Sequence, residues 1–255
     1  GGKISVWPGL LGMAATFDPA VALRFGEVAS TEYRYLGMAT ALSPQIDLAT
    51  EPRWRRVMAT FGEGSKLATD IARAYSDGFQ TSKGADALEG AWGKNSVNAM
   101  VKHWPGGGTG EAGRDAHFAF GKYAVYPGNN FEEHLKPFTE GAFKLEGGTE
   151  QASAVMPYYT ISYGQDPSGK NVANGYSEYI IKDLERGGTY IKSSGMYSND
   201  DKEMIFLVVS RREVAQVQRK IREIDPTLFV VVTDAYDTFG EGFKPLPDKD
   251  TMLND

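Results

Sequence analysis

The chain has 255 residues, a formal net charge of −6 and no cysteine. The acidic balance argues against a nucleic-acid binder, which carries a basic stripe, and the lack of cysteine excludes disulfides, thiol nucleophiles and cysteine-ligated metals. No apolar run reaches the length of a membrane span, and Gly1-Gly2-Lys3-Ile4 carries no signal-peptide pattern, so the expected compartment is the cytoplasm.

In chain order, residues 20–37 read as a helix carrying Val21, Leu23, Phe25, Val28 and Tyr35. Residues 38–46 read as a strand ending in polar residues, and 66–79 as a second amphipathic helix. Residues 97–102 form a short strand that runs into a glycine-rich loop at 106–110. A helix over 130–145 and a strand over 152–156 follow. Alternation of strand and helix predicts an α/β fold with parallel strands, whose functional residues sit where strands end.

The polar loop at 166–175 marks a change of pattern. Beyond it come a helix over 177–186, strands over 189–192 and 203–209, and a capping box, Ser210 with Glu213, opening a helix with Val214, Val217, Ile221 and Ile224 on one face. Asp225-Pro226 stops that helix, residues 228–233 form a buried strand, and the tail from Lys244 is loose. The order α-β-β-α-β is close to a ferredoxin-like sandwich.

Three stretches carry chemistry. The first is Ser43-Pro44-Gln45-Ile46-Asp47-Leu48 with Glu51-Pro52-Arg53-Trp54-Arg55-Arg56. The second is Val101-Lys102-His103-Trp104-Pro105-Gly106, and the third Gly113-Arg114-Asp115-Ala116-His117. With Trp7-Pro8, Ala14-Ala15-Thr16-Phe17-Asp18 and Val155-Met156-Pro157-Tyr158, they resemble the barrel domain of family 3 glycoside hydrolases, retaining β-glucosidases and β-xylosidases, over residues 4–184. The resemblance implies a (β/α)8 barrel in which Arg53, Lys102 and His103 hold hydroxyls of the sugar next to the scissile bond. Trp54 and Trp104 either support that site or stack on sugar. Read only as residues, Arg53 pairs with a carboxylate such as Asp47 or Glu63, His117 caps a loop with Asp115, and His134, beside Glu132 and Glu133, is solvated.

Retaining hydrolysis uses two carboxyl groups roughly 5–5.5 Å apart. The family takes its nucleophile from a Ser-Asp-Trp-type motif on the strand after the helix that residues 179–184 match. No such motif occurs here, and Asp200 and Asp201 read as turn residues. A closed barrel needs about eight strands and about 250 residues, so the expectation is an incomplete TIM-type barrel with no catalytic carboxylate, metal or cofactor assigned. A β-glucoside or β-xyloside is the expected ligand.

Leu184-Glu185-Arg186-Gly187-Gly188-Thr189-Tyr190, Gly195-Met196-Tyr197-Ser198, Val208-Val209-Ser210-Arg211-Arg212-Glu213, Ile224-Asp225-Pro226 and Gly240-Glu241-Gly242-Phe243 resemble the C-terminal soluble domain of the YitT family of bacterial membrane proteins. Residues 177–184 fit both families. The resulting division is a partial barrel over 1–176, a ferredoxin-like α+β domain over 177–243, and a tail over 244–255. The alternatives to an impaired glycosidase are a non-enzymatic regulatory module that forms homo-oligomers or binds a small ligand, and an artificial hybrid without selected function.

Overall fold

The computed structural model describes residues 4–181, 191–194, 201–204 and 219. The chain divides into two compact units, Gly1–Lys192 and Ser193–Asp255.

In the first unit, helix α1 (Leu10–Ala14) leads to α2 (Pro19–Tyr35). The start of α2 follows from local chemistry: the Asp18 carboxylate accepts the Ala20 amide at 2.9 Å, and Pro19 occupies a first-turn position where no amide is needed. Helix α3 (Ser65–Gln80) buries Ile71, Ala72, Tyr75 and Phe79. It packs on α2 at a glycine crossing, where a Cβ at Gly26 would lie 2.7 Å from the Tyr75 carbonyl oxygen and 2.8 Å from the Gly78 Cα. Backbone approach this close requires glycine on both helices.

Strand β1 (Thr40–Ala41) is shorter than the expected 38–46 run, whose remainder touches the sheet again through a bridge from Gln45 to Lys102. Strand β2 (Asn98–Trp104) lies between β1 and β4 (Ala154–Pro157), all parallel. Two short strands, β3 (Tyr123–Ala124) and β5 (Ile161–Ser162), form a separate parallel pair. The core joins the α3 face to the sheet through Phe61, Ile71, Phe79, Val97, Ala99, Val101, Trp104 and Phe138. Gln80, fully buried, ties the end of α3 to β2 and to the segment leading into β4. Its Oε1 accepts from the amides of Ala99 and Ser153 at 3.2 and 2.8 Å, and its Nε2 donates to the Gln151 carbonyl at 2.9 Å.

The helix expected over 130–145 is α4 (Phe131–Lys136) followed by a π-helical stretch, Pro137–Ala142. His134 corrects one expectation. It is fully buried rather than solvated, because its helical neighbours Phe131 and Phe138 turn that face inward and the Tyr126 ring packs on it at 5.3 Å. For the tryptophans, burial separates the two roles expected of them. Trp54 and Trp104 are both buried, and Trp104 Nε1 donates to the Ile180 carbonyl at 3.0 Å, so neither presents a face for stacking on sugar.

Beyond the polar loop, residues 178–181 are helical. Strands β6 (Ile191–Ser194) and β7 (Asp201–Met204) form a two-stranded sheet that overlaps the expected segments. Asp201, expected in a turn, opens β7. The expected helix from Ser210, the strand over 228–233 and the tail from Lys244 lie outside the described residues, as does Asp200.

Candidate functional site

Three neighbouring parallel strands end together. The segment after β1 delivers Gln45 and Asp47, the end of β2 delivers Lys102 and His103, and Tyr158 directly follows β4. The pairing of β2 with β4 shifts between Lys102 and Trp104, at the cis peptide bond that joins Lys102 to His103.

Asp47 is fully buried and accepts three hydrogen bonds, from the His103 amide at 3.0 Å, His103 Nδ1 at 2.8 Å and the Gly107 amide at 2.5 Å. The glycine run makes that last bond reachable. A Cβ at Gly107 would meet the Tyr158 ring at 3.0 Å and Asp47 Oδ1 at 3.1 Å, and one at Gly108 would sit 1.9 Å from the Leu48 carbonyl oxygen. Burial works against the Asp47 carboxylate, but the His103 imidazole and the hydrogen bonds from His103 and Gly107 outweigh it and hold its pKa below the ordinary value.

His103 is 5% exposed. Burial lowers its pKa against the pull of Asp47, and the charges of Arg56 and Lys102 lower it further, so the ring is neutral. Its partners fix the tautomer. A carboxylate only accepts, so Nδ1 carries the proton toward Asp47. A guanidinium only donates, so Nε2 accepts from Arg56 Nη1 at 3.2 Å. Arg56 Nη2 donates to Gln45 Oε1 at 2.5 Å. Tyr158 packs on the imidazole with centroids 4.8 Å apart, and burial pushes its phenol above the usual range.

Of the residues expected at a sugar site, Lys102 and His103 stand together at the end of β2. Arg53 is engaged by a different partner. It is 69% exposed at the side chain and forks onto Glu51, Nε to Oε1 at 2.8 Å and Nη2 to Oε2 at 2.7 Å, rather than onto Asp47 or Glu63. Arg56, three residues on, is the arginine that reaches His103. Asp115 accepts from the His117 amide at 3.0 Å and lies 2.6 Å from His117 Nδ1, as expected of a loop cap.

Sequence reasoning passed over Gln45, Arg56 and Tyr158, and it weighed Asp47 only as a partner for Arg53. A signal for the first of these was present: Gln45 and Asp47 are separated by apolar Ile46, the period that places alternate side chains of an extended segment on one face. Chemically, the arrangement offers two cations, Lys102 at the end of β2 and Arg56 held by Gln45 and His103, around a neutral imidazole whose two nitrogens are already engaged, and cationic donors suit binding of hydroxyl groups.

A family model described as "Glycosyl hydrolase family 3 N terminal domain" matches residues 1–184. The chain belongs to this family. Probable beta-glucosidase C of Aspergillus flavus is 44% identical over 185 residues, which is 72% of this chain and 27% of that protein. The chain therefore spans about a quarter of the length of such curated relatives. A β-glucosidase from Listeria innocua, solved in complex with isofagomine, superposes on the family 3 segment with a TM-score of 0.56 at 25% identity, covering 73% of this chain and 23% of that one.

Behind the family 3 segment, residues 186–240 match a second model, "Uncharacterized protein conserved in bacteria (DUF2179)". UPF0750 membrane protein YpjC of Bacillus subtilis is 38% identical over 74 residues, 27% of this chain and 26% of that protein. The chain thus joins segments of two families. Among the described residues no helix is long and apolar enough to cross a membrane.

Proposed function

We propose that the family 3 segment carries the sugar-holding side of a β-glucoside or β-xyloside site and that this chain does not by itself complete the hydrolytic machinery. The observation that carries this reading is the Asp47–His103–Arg56 chain, with Lys102 beside it, at the C-terminal ends of parallel strands. Lys102 and Arg56 supply the hydroxyl-binding groups in this reading, the imidazole, engaged at its two nitrogens by Asp47 and Arg56, fixes Arg56 in place, and Arg53, held by Glu51, is given no sugar contact.

The same reading gives the carboxylates near His103 no free catalytic role. Asp47 is buried under three donors, and Asp115 is bound to His117. A retaining site needs two opposed carboxyl groups on the sugar. We take the fold as an incomplete (β/α)8 barrel over 1–176, followed by a ferredoxin-like domain over 177–243 and a tail over 244–255. The test is calorimetric titration with isofagomine alongside an aryl β-glucoside turnover assay. Binding without turnover is the expected result. Absence of binding overturns the sugar site, and turnover overturns the incompleteness of the machinery.

For residues 186–240, which match a second family model, the alternative we propose is a non-enzymatic regulatory module that self-associates or binds a small ligand. Analytical ultracentrifugation of the full chain tests it, since a strict monomer at high concentration excludes self-association.

A further inference from the structure

Gln45 is 2% exposed and lies two residues before Asp47. Its backbone is pinned to β2 from both sides, with Ile46 N donating to Lys102 O at 2.8 Å and Lys102 N donating to Pro44 O at 3.2 Å. With Ile46 turned into the core, Gln45 and Asp47 share a face of this extended segment and reach toward the same end of β2. Asp47 grips His103 directly. Gln45 grips Arg56, and Arg56 meets the far nitrogen of the same imidazole. The four side chains form a closed loop, Gln45–Arg56–His103–Asp47, that begins and ends on one strand segment.

The Gln45 amide is an expensive way to fill buried space. Its Nε2 has no hydrogen-bond partner among the described residues, and an unpaired buried donor is destabilising. Methionine would pack in a similar volume without that cost. What the amide adds is the Oε1 acceptor, which faces the guanidinium at 2.5 Å. Arg56 also has a competing attraction, because its charge acts on Asp115 in the neighbouring loop.

We propose that Gln45 is a positioning residue that holds the Arg56 guanidinium on His103, away from Asp115, and so places the cation of the sugar site. The inference rests on the sugar-site reading given above for its ligand, and on geometry alone for the Gln45–Arg56–His103 link.

A double-mutant cycle on the full chain tests it, with Gln45→Met, Arg56→Met and the double variant read by NMR titration of His103 and by isofagomine titration. The charged and titratable groups that face His103 are Asp47, Arg56, Lys102 and Tyr158. Only Arg56 changes place in Gln45→Met, so the His103 pKa should rise as the neighbouring cation leaves. Isofagomine affinity should fall about tenfold, the worth of one charge-assisted hydrogen bond. In the Arg56→Met background, Gln45→Met should alter neither readout, because a residue acting through another is non-additive with it.

Wild-type titration and affinity in Gln45→Met, or additive effects in the double variant, overturn the proposal. Gln45→Glu keeps the acceptor and should keep wild-type isofagomine affinity. Loss of affinity in this variant also overturns the proposal, which keeps it testable if Gln45→Met does not fold. Failure of the wild-type chain to bind isofagomine sinks the sugar reading, while the His103 cycle still decides the link.

Discussion

Replacing Asp47 with asparagine should rearrange the protons of the whole site. Asp47 Oδ1 serves two backbone amides, of His103 and Gly107, while Oδ2 serves His103 Nδ1. Asparagine retains one oxygen, and the arrangement that loses least keeps it on the two amides, which cannot accept. The new NH2 then faces Nδ1, so His103 must move its proton to Nε2. There it meets Arg56 Nη1, another donor, at 3.2 Å, and the guanidinium is driven off. One charged hydrogen bond, from Arg56, is lost and the three made by residue 47 become neutral, at a cost of about 4 kcal/mol. The sign with pH follows from the lowered Asp47 pKa. The carboxylate's contribution is present above its ordinary pKa of 3.8 and fades as pH falls through the folded-state value. Urea denaturation at pH 7 measures the loss, and ring 15N shifts of His103 report the tautomer. An Asp47→Asn variant that retains the Nδ1-protonated ring and loses less than about 1 kcal/mol refutes this account.

His134 is held neutral by burial, which lowers its pKa from 6.5 to about 4 against the pull of Asp47 and Glu133. The unfolded chain therefore binds the extra proton first, and stability that is full above pH 6.5 should fall by about 3 kcal/mol as pH drops to about 4. His134→Phe should flatten that slope in denaturation curves, and an unchanged slope counts against the assignment. Gly26→Ala should lower the melting temperature through a loss of about 1–3 kcal/mol, because its Cβ meets the Tyr75 carbonyl oxygen at 2.7 Å; an unshifted melt would show that the helices separate freely. Arg53→Gln should leave isofagomine affinity unchanged while Arg56→Gln weakens it about tenfold, and the reverse order restores Arg53 to the site.

Much of the frame was readable in the sequence. The helix expected over 20–37 is α2, and the apolar period of residues 66–79 marks α3. The strand over 38–46 was overread, since apolar content cannot show that only Thr40 and Ala41 pair before the chain reaches toward the site. His134 was misjudged from its sequence neighbours Glu132 and Glu133, although on a helix Phe131 and Phe138, three and four residues away, decide which face it shares. Among Arg53, Arg55 and Arg56, nothing in the spacing identifies the one that meets His103. That choice depends on where Glu51 and Gln45 stand once the loop is folded, because each captures the arginine within its reach.

The glycines at 106–108 would ordinarily suggest a supple hinge. Their surroundings imply the opposite. Gly106 abuts the His134 ring, Gly107 lies beneath Tyr158, and Gly108 presses against the Leu48 carbonyl. They resemble the thinned edge of a joint, pared down so that two pieces of backbone can meet. Over generations such a seam would tolerate almost no mutational drift, even though none of its three members has a side chain to contribute.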